Sequence, residues 1–145
     1  MKVRDILARK GTAVITIGQE ASLHEAVSLL SEHRIGVVLV TDAAGDPVGI
    51  LSERDLVQIM ATEGCKLDDK LVSDAMTADL IVGVPDDDLE YVMSVMIQRR
   101  IRHLPILDGD HLAGLISIGD VVKSQIDDAV TEIRFLRSYI DGTRT

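Results

Sequence analysis

The pattern of apolar and polar positions in the first half of the chain predicts five elements in the order strand, helix, strand, strand, helix. Short apolar runs predict the strands, and apolar residues spaced three and four apart predict the helices. The predicted elements are residues 13–17, 22–33, 36–42, 48–51 and 52–61. Ser22 followed by Glu25 is typical of a capping box at the start of the first helix.

The second half of the chain repeats this order of elements, and the clearest sign is a short motif that occurs twice. The stretch GILSERDL in the first half returns as GLISIGDV in the second, so that Ser52 matches Ser117. Asp55 likewise matches Asp120. Two units of about half a domain each would be marginal alone, so we expect them to pack on each other as one module.

The repeat divides the chain into repeat 1 at residues 1–63, repeat 2 at 64–123, and a C-terminal helix with its tail at 124–145. The helix has an apolar stripe at Ile126, Val130, Ile133, Leu136 and Ile140. A helix this apolar is expected to pack either on the rest of the chain or on another subunit, and its pattern leaves both open.

The repeated serine and aspartate have two interpretations. A serine followed three residues later by an acid, where a strand gives way to a helix, is a capping box. The same geometry presents free N–H groups that suit a phosphate, and a carboxylate that can accept from the hydroxyls of a ribose. The spacing alone does not decide between capping and binding.

Composition narrows the class of protein. The chain has 145 residues, 46% of them hydrophobic and 27% charged, and apolar runs such as IGVVLV are far shorter than the roughly 20 residues of a membrane span. A net charge of −9 argues against broad binding of nucleic acid. The single Cys65 and four scattered histidines predict no metal site. We see no secretory signal pattern and no nucleophile–base pair, so we expect a cytoplasmic protein that is not an enzyme.

Four motifs occur in order along the chain: VRDIL at 3–7, VSDAMT at 72–77, RRIRHLPILD at 99–108, and the paired G-h-h-S-x-x-D ends of the two halves, where h is hydrophobic. Together they resemble a CBS-domain pair, also called a Bateman module. The resemblance spans Val3 to about Val122. It implies an α/β (α+β) fold of two tandem β-α-β-β-α repeats packed with pseudo-twofold symmetry, followed here by the C-terminal helix.

The resemblance also implies a function. In this family the clefts between the repeats commonly bind adenosine-containing ligands such as AMP, ADP, ATP, NAD or S-adenosylmethionine, and catalysis normally belongs to a separate domain. We therefore expect a stand-alone regulatory sensor that has no catalytic cofactor, forms a homodimer and has a regulated protein partner. The alternative is a protein-interaction scaffold that binds no ligand and acts through its dimer surface and C-terminal helix.

Matched residue by residue, the resemblance assigns the ribose hydroxyls to Asp55 and Asp120. It assigns Ser52 and Ser117 to the neighbourhood of the phosphates. The resemblance implies that the adenine lies between aliphatic side chains, which agrees with the lack of an aromatic stacking platform in either repeat. The resemblance also implies hydrogen bonds from the adenine to strand backbone, in the neighbourhoods of Ile15 and Val38 in one cleft and of Thr77, Ile81 and Leu104 in the other.

The resemblance further predicts that the two sites differ. The phosphates of a ligand bound by one repeat's aspartate are expected against the second strand of the other repeat. Arg102 and His103, with Arg54 close by, are therefore assigned to the Asp55 site, whereas the strand IGVVLV assigned to Asp120 carries no charge. Local cations attract a phosphate to an acidic protein, so we expect the Asp55 site to bind phosphorylated ligands better.

Overall fold

The computed structural model describes residues 1–140, which form six α-helices, a 3₁₀ turn at Leu67–Asp69 and five strands in two sheets. The helices are α1 Val3–Lys10, α2 Leu23–His33, α3 Glu53–Glu63, α4 Val72–Ala75, α5 Leu89–Arg99 and α6 Ile118–Ile140. The strands are β1 Thr16–Gly18, β2 Val37–Thr41, β3 Pro47–Ser52, β4 His103–Asp108 and β5 His111–Ser117. In the first sheet β2 pairs parallel with β1 and antiparallel with β3, and β4 and β5 form an antiparallel hairpin.

The first strand of repeat 2 differs from the prediction of five elements in each half. It is reduced to a single pairing of Gly83 with Ile106. Gly83 is followed two residues later by Pro85, which has no N–H to continue a ladder of hydrogen bonds. β1 is also shorter than predicted, since residues 13–15 lie outside it.

The last helix of repeat 2 and the predicted C-terminal helix are one element, because α6 runs without a break from Ile118 to Ile140. Residues 141–145 of the predicted tail lie outside the described residues. Within residues 1–140, none of the helices combines the length and the apolar composition needed to cross a bilayer.

Two hydrophobic cores hold the fold together, and each contains a helix from the other repeat. Val3 and Leu7 of α1 are buried in the core of repeat 2, which includes Ile116 of β5. Val72 of α4 is buried in the core of repeat 1, which includes Leu51 of β3. This reciprocal exchange makes the two repeats a single packed unit, because neither core is complete without the other repeat.

The glycine of the repeated motif allows this exchange. A Cβ atom at Gly114 would lie 2.5 Å from Cδ2 of Leu7, and one at Gly49 would lie 2.6 Å from Sδ of Met76. Both distances are shorter than any ordinary van der Waals contact between such atoms. Glycine at each position therefore avoids a displacement of the Leu7 or Met76 side chain where the exchanged segment crosses the opposite sheet.

Candidate ligand sites

The first candidate site, the Asp55 site, consists of Ser52, Asp55 and Thr77 at the start of α3. Oγ of Ser52 accepts from the backbone N–H of Asp55 at 3.2 Å. Oδ2 of Asp55 accepts in return from the backbone N–H and the hydroxyl of Ser52, at 2.9 and 3.0 Å. The hydroxyl of Thr77 donates to Oδ1 of Asp55 at 3.3 Å. The carboxylate of repeat 1 thus meets a side chain from repeat 2.

The second candidate site, the Asp120 site, consists of Lys10, Arg102, His103, Ser117 and Asp120 at the start of α6. Oγ of Ser117 accepts from the backbone N–H of Asp120 at 3.1 Å, and Oδ2 of Asp120 accepts from the backbone N–H of Ser117 at 2.9 Å. Nζ of Lys10 also donates to Oδ2 of Asp120, at 2.6 Å. Here a carboxylate of repeat 2 meets a cation from repeat 1.

The charges at the Asp120 site influence one another. Burial acts to raise the pKa of Asp120, but the hydrogen bonds from Lys10 and Ser117 and the charge of Lys10 outweigh it and hold the pKa below its ordinary value. The pKa of His103 is lowered, mainly by burial and then by the charges of Lys10 and Arg102. Asp120 opposes that shift only in part. At neutral pH the site therefore favours a carboxylate beside an ammonium and an uncharged imidazole.

The capping interpretation of the repeated motif is confirmed at both sites, because each serine and aspartate make the reciprocal hydrogen bonds. Capping uses one carboxylate oxygen of each aspartate. Within residues 1–140, the Oδ1 atom of Asp120 accepts no hydrogen bond. Capping by this aspartate is therefore compatible with accepting a further hydrogen bond from a ligand.

The resemblance assigned Arg102 and His103 to the Asp55 site, whereas the structure places their backbone next to the start of α6. His103 lies directly opposite Ser117 in the β4–β5 hairpin, and the first N–H of α6 donates to the carbonyl of Arg102 at 2.8 Å. Both residues therefore lie beside Asp120. The physical reason is that an antiparallel hairpin brings the start of its first strand next to the end of its second.

Apart from Thr77, the predicted adenine-binding residues fall into two groups. Val38 and Leu104 are 0% and 1% exposed and lie in the two cores, and their neighbourhoods as places for the adenine stay a prediction. Ile15 and Ile81 are half-buried at the edges of those cores. Arg54 is exposed in the first turn of α3.

Lys10 is the site residue that the sequence did not predict. It ends α1, and Gly11 follows it with a φ of 96°, so the local sequence indicates only a basic residue near a helix C-terminus. Its partner Asp120 is 110 residues away in the chain. No local signal connects them, since the contact exists only because α1 packs against repeat 2.

A small cavity of about 170 Å³ lies between α1 and α6 next to the Asp120 site. Its charged lining residues are Arg9, Lys10, Asp120, Lys123 and Asp127. A larger depression of about 460 Å³ lies elsewhere, next to the 3₁₀ turn and His24, and contains none of the predicted site residues. The smaller cavity is the relevant one, because it joins the Asp120 carboxylate to a group of cations.

Comparison with known proteins identifies the family. The sequence model of the CBS domain matches residues 3–62 and again residues 72–127. The chain belongs to the CBS-domain family. It is 43% identical to the CBS-domain containing protein ATU1752 of Agrobacterium tumefaciens, whose crystal structure matches with a TM-score of 0.82 over 86% of this chain and 92% of that one. The CBS domain-containing protein YhcV of Bacillus subtilis is 32% identical over 117 residues, which are 81% of this chain and 82% of YhcV.

Two more distant CBS structures contain ligands. The CBS-domain pair of MJ0100, 24% identical with a TM-score of 0.77, was solved with 5′-methylthioadenosine and S-adenosylmethionine, and the match covers 88% of this chain and 98% of that one. PAE2072 of Pyrobaculum aerophilum, 22% identical with a TM-score of 0.74 over 83% of this chain and 89% of that one, was solved with AMP. At these identities the likeness to our chain concerns the fold. The fold of two tandem CBS repeats and a C-terminal helix is thus confirmed.

Proposed function

We propose that this CBS pair is a regulatory sensor, not an enzyme, and that it binds an adenosine-containing ligand at the Asp55 and Asp120 sites. The observation that carries the proposal is the reciprocal construction of the two sites. In each, the aspartate of one repeat receives a hydrogen bond from a side chain of the other, Thr77 or Lys10. A ligand that changes either contact would change how the two repeats hold each other.

The chemistry of the sites suits a nucleoside. A carboxylate that already caps a helix is held in place and can accept from ribose hydroxyls, as a charge-assisted hydrogen bond. The N–H groups at the start of a helix favour an anion such as a phosphate. Ile15 and Ile81 offer partly exposed aliphatic surface for a purine. AMP, 5′-methylthioadenosine and S-adenosylmethionine, the ligands of the two distant CBS structures, all contain adenosine.

The Asp120 site is the better candidate for a phosphorylated ligand, in contrast to the preference predicted from the sequence. Lys10 and Arg102 lie beside it, and the adjoining cavity adds Arg9 and Lys123. At the Asp55 site the corresponding contact comes from a neutral hydroxyl. Since the protein has a net charge of −9, a phosphate needs such local cations to overcome the overall repulsion. We therefore propose AMP or ATP for the Asp120 site, and NAD as a further candidate.

Titration calorimetry on Asp120→Ala, Asp55→Ala and Asp5→Ala tests this proposal. Asp5 is the matched control, because its carboxylate caps α1 by accepting from the N–H of Lys2 at 2.8 Å, away from both sites. Loss of a cap costs about 1 kcal/mol of stability in each variant. We expect Asp120→Ala to weaken AMP or ATP binding at least about tenfold, because it also removes a charge-assisted contact. Asp5→Ala should bind like the wild type.

Two outcomes would contradict the proposal. If Asp120→Ala and Asp5→Ala lose the same stability and neither loses affinity, Asp120 is only a capping residue. If AMP, ATP, NAD, S-adenosylmethionine and adenosine all leave the melting temperature of the wild type unchanged, the alternative of a ligand-free scaffold is favoured, because a ligand that binds the folded state must stabilise it.

The homodimer, a regulated protein partner and the cytoplasmic location stay predictions. The dimer has support from the structure of α6, whose large apolar residues from Ile126 onwards are at least half exposed with the exception of Val130 at 49%. Surface of this kind on a soluble protein marks an interaction site.

A further inference from the structure

The C-terminal part of α6 extends beyond the body of the protein. The buried residues of α6 are Val121 and Ser124, both near its start. From residue 126 to residue 140 every position is exposed except Ser138, which is half-buried. An isolated helix of this length is marginal in water, so packing against a partner is needed to stabilise it.

The exposed apolar residues of α6 follow the spacing of a coiled coil. Starting at Val122 they recur in steps of four, three, four, three and four residues, which is the alternation of a and d positions in a heptad repeat. The a positions are Ile126, Ile133 and Ile140, and the d positions are Val122, Ala129 and Leu136. The five larger side chains are 41–79% exposed. The seam covers 19 residues, the last of them at the end of the described helix.

This seam faces away from the body of the protein. Successive residues of a helix are turned by about 100° around its axis. The mean direction of the seam residues therefore lies roughly 130° around the axis from the mean direction of the buried Val121 and Ser124. α6 can therefore keep its packing on the CBS pair and still offer the seam to a second molecule. Packing on its own module, which the sequence left open, is confined to the first turns of the helix.

The residue types at the seam favour two parallel helices. β-branched isoleucine occupies all three a positions, and the largest d residue is Leu136. Isoleucine at a combined with leucine at d is the combination that favours parallel two-stranded coiled coils. The small Ala129 lets the two helices approach closely at the middle of the seam.

The charges beside the seam favour the same orientation. Glu132 occupies a g position, and Lys123 and Arg137 occupy e positions. In a parallel pair, Glu132 of one copy lies near Arg137 of the other, and this attractive pair occurs twice. In an antiparallel pair, Glu132 would face its own equivalent and Lys123 would face Arg137, so both contacts would be repulsive.

We propose that two copies of this chain associate through a parallel, two-stranded coiled coil of α6, with residues 122–140 as the seam. The proposal rests on the homodimer suggested above and specifies its interface and orientation. The seam is short, but the first turns of each helix are already ordered by the CBS pair, which reduces the entropy that association must overcome. Ligand binding at the two sites is independent of this proposal.

Analytical ultracentrifugation of the full chain tests the interface. Ile133→Glu introduces two charges at the centre of the seam, and we expect it to raise the dimer dissociation constant at least about a hundredfold. Thr131→Glu is the matched control, because it adds the same charge two residues away at an exposed position outside the seam. The control should dimerise like the wild type. At concentrations low enough for the chains to be monomeric, the CBS pair of both variants should melt at the wild-type temperature.

Disulfide trapping tests the orientation. In a Cys65→Ser background, which removes the exposed natural cysteine, Leu136→Cys should form a disulfide-linked dimer on mild oxidation. The two copies of residue 136 meet only in the parallel arrangement. A dimer without this crosslink would overturn the parallel orientation. A dimer that Ile133→Glu leaves unchanged would overturn the α6 interface but not the homodimer. A wild-type monomer at hundreds of micromolar would overturn both, while nucleotide binding would still be decided by calorimetry.

Discussion

The exchange of α1 into repeat 2 predicts a strong energetic coupling between Leu7 and Gly114. Leu7 is 6% exposed and its Cδ2 lies 2.5 Å from where a Cβ of residue 114 would be. Gly114→Ala should therefore force the Leu7 side chain to move within a packed core. Leu7→Ala should leave a cavity at the same place, and the two changes together should partly compensate.

The magnitudes follow from the packing. Removing a buried leucine side chain costs about 2–5 kcal/mol, and inserting a methyl group into a filled core costs about 1–3 kcal/mol. If the sites were independent, the double variant would lose the sum of the two. Since the new methyl group at residue 114 can occupy space that Leu7 vacates, we expect the double variant to be at least about 1 kcal/mol more stable than that sum.

Urea denaturation of the wild type, both single variants and the double variant measures this coupling. All four proteins are compared at one concentration, because dimerisation would otherwise change the apparent stability. Gly18→Ala is the control for adding a methyl group, since a Cβ at Gly18 would have nothing within 4 Å and the residue is exposed. It should change stability by no more than about 0.5 kcal/mol.

Additivity would refute the reasoning. If the losses in the free energy of unfolding of the two single variants sum to the loss of the double variant within about 0.3–0.5 kcal/mol, Leu7 and Gly114 are not in contact. α1 would then not contribute to the core of repeat 2 as described, and the placement of Lys10 beside Asp120 would fail with it.

The remaining predictions concern Lys10→Met at the Asp120 site. Because the folded-state pKa of Asp120 lies below its ordinary value, its ionisation stabilises the fold at neutral pH, and this contribution disappears as the pH falls through the folded-state pKa. Lys10→Met should thus lower the free energy of unfolding by about 0.5 kcal/mol at pH 7. The difference from the wild type should vanish well below pH 4. A difference that persists undiminished in acid would indicate a packing effect instead. The same variant should raise the pKa of His103 in an NMR titration relative to the wild type, since the charge of Lys10 helps to lower it.

Much of the local structure was predictable because it depends on local interactions. The limits of α2 follow from the helical spacing and from Ser22, whose Oγ accepts from the N–H of Glu25 at 3.1 Å. The hydrogen bonds between Ser52 and Asp55 join residues three apart and are visible in the motif itself. The single pairing at Gly83, where a strand was predicted, is an exception, because an edge position needs only a few hydrogen bonds to be satisfied.

The sequence by itself determined the repeat, the helix caps at Ser52 and Ser117, and the membership in a family of tandem domains, because periodicity and capping act over a few residues. Only the tertiary structure decided which side chains surround each aspartate. Arg102 and His103 lie at the Asp120 site because a hairpin returns to its start, and Lys10 joins them across 110 residues because α1 completes the core of the other repeat. Such contacts depend on how whole elements bury their apolar faces, and no pattern within one segment of the chain contains that information.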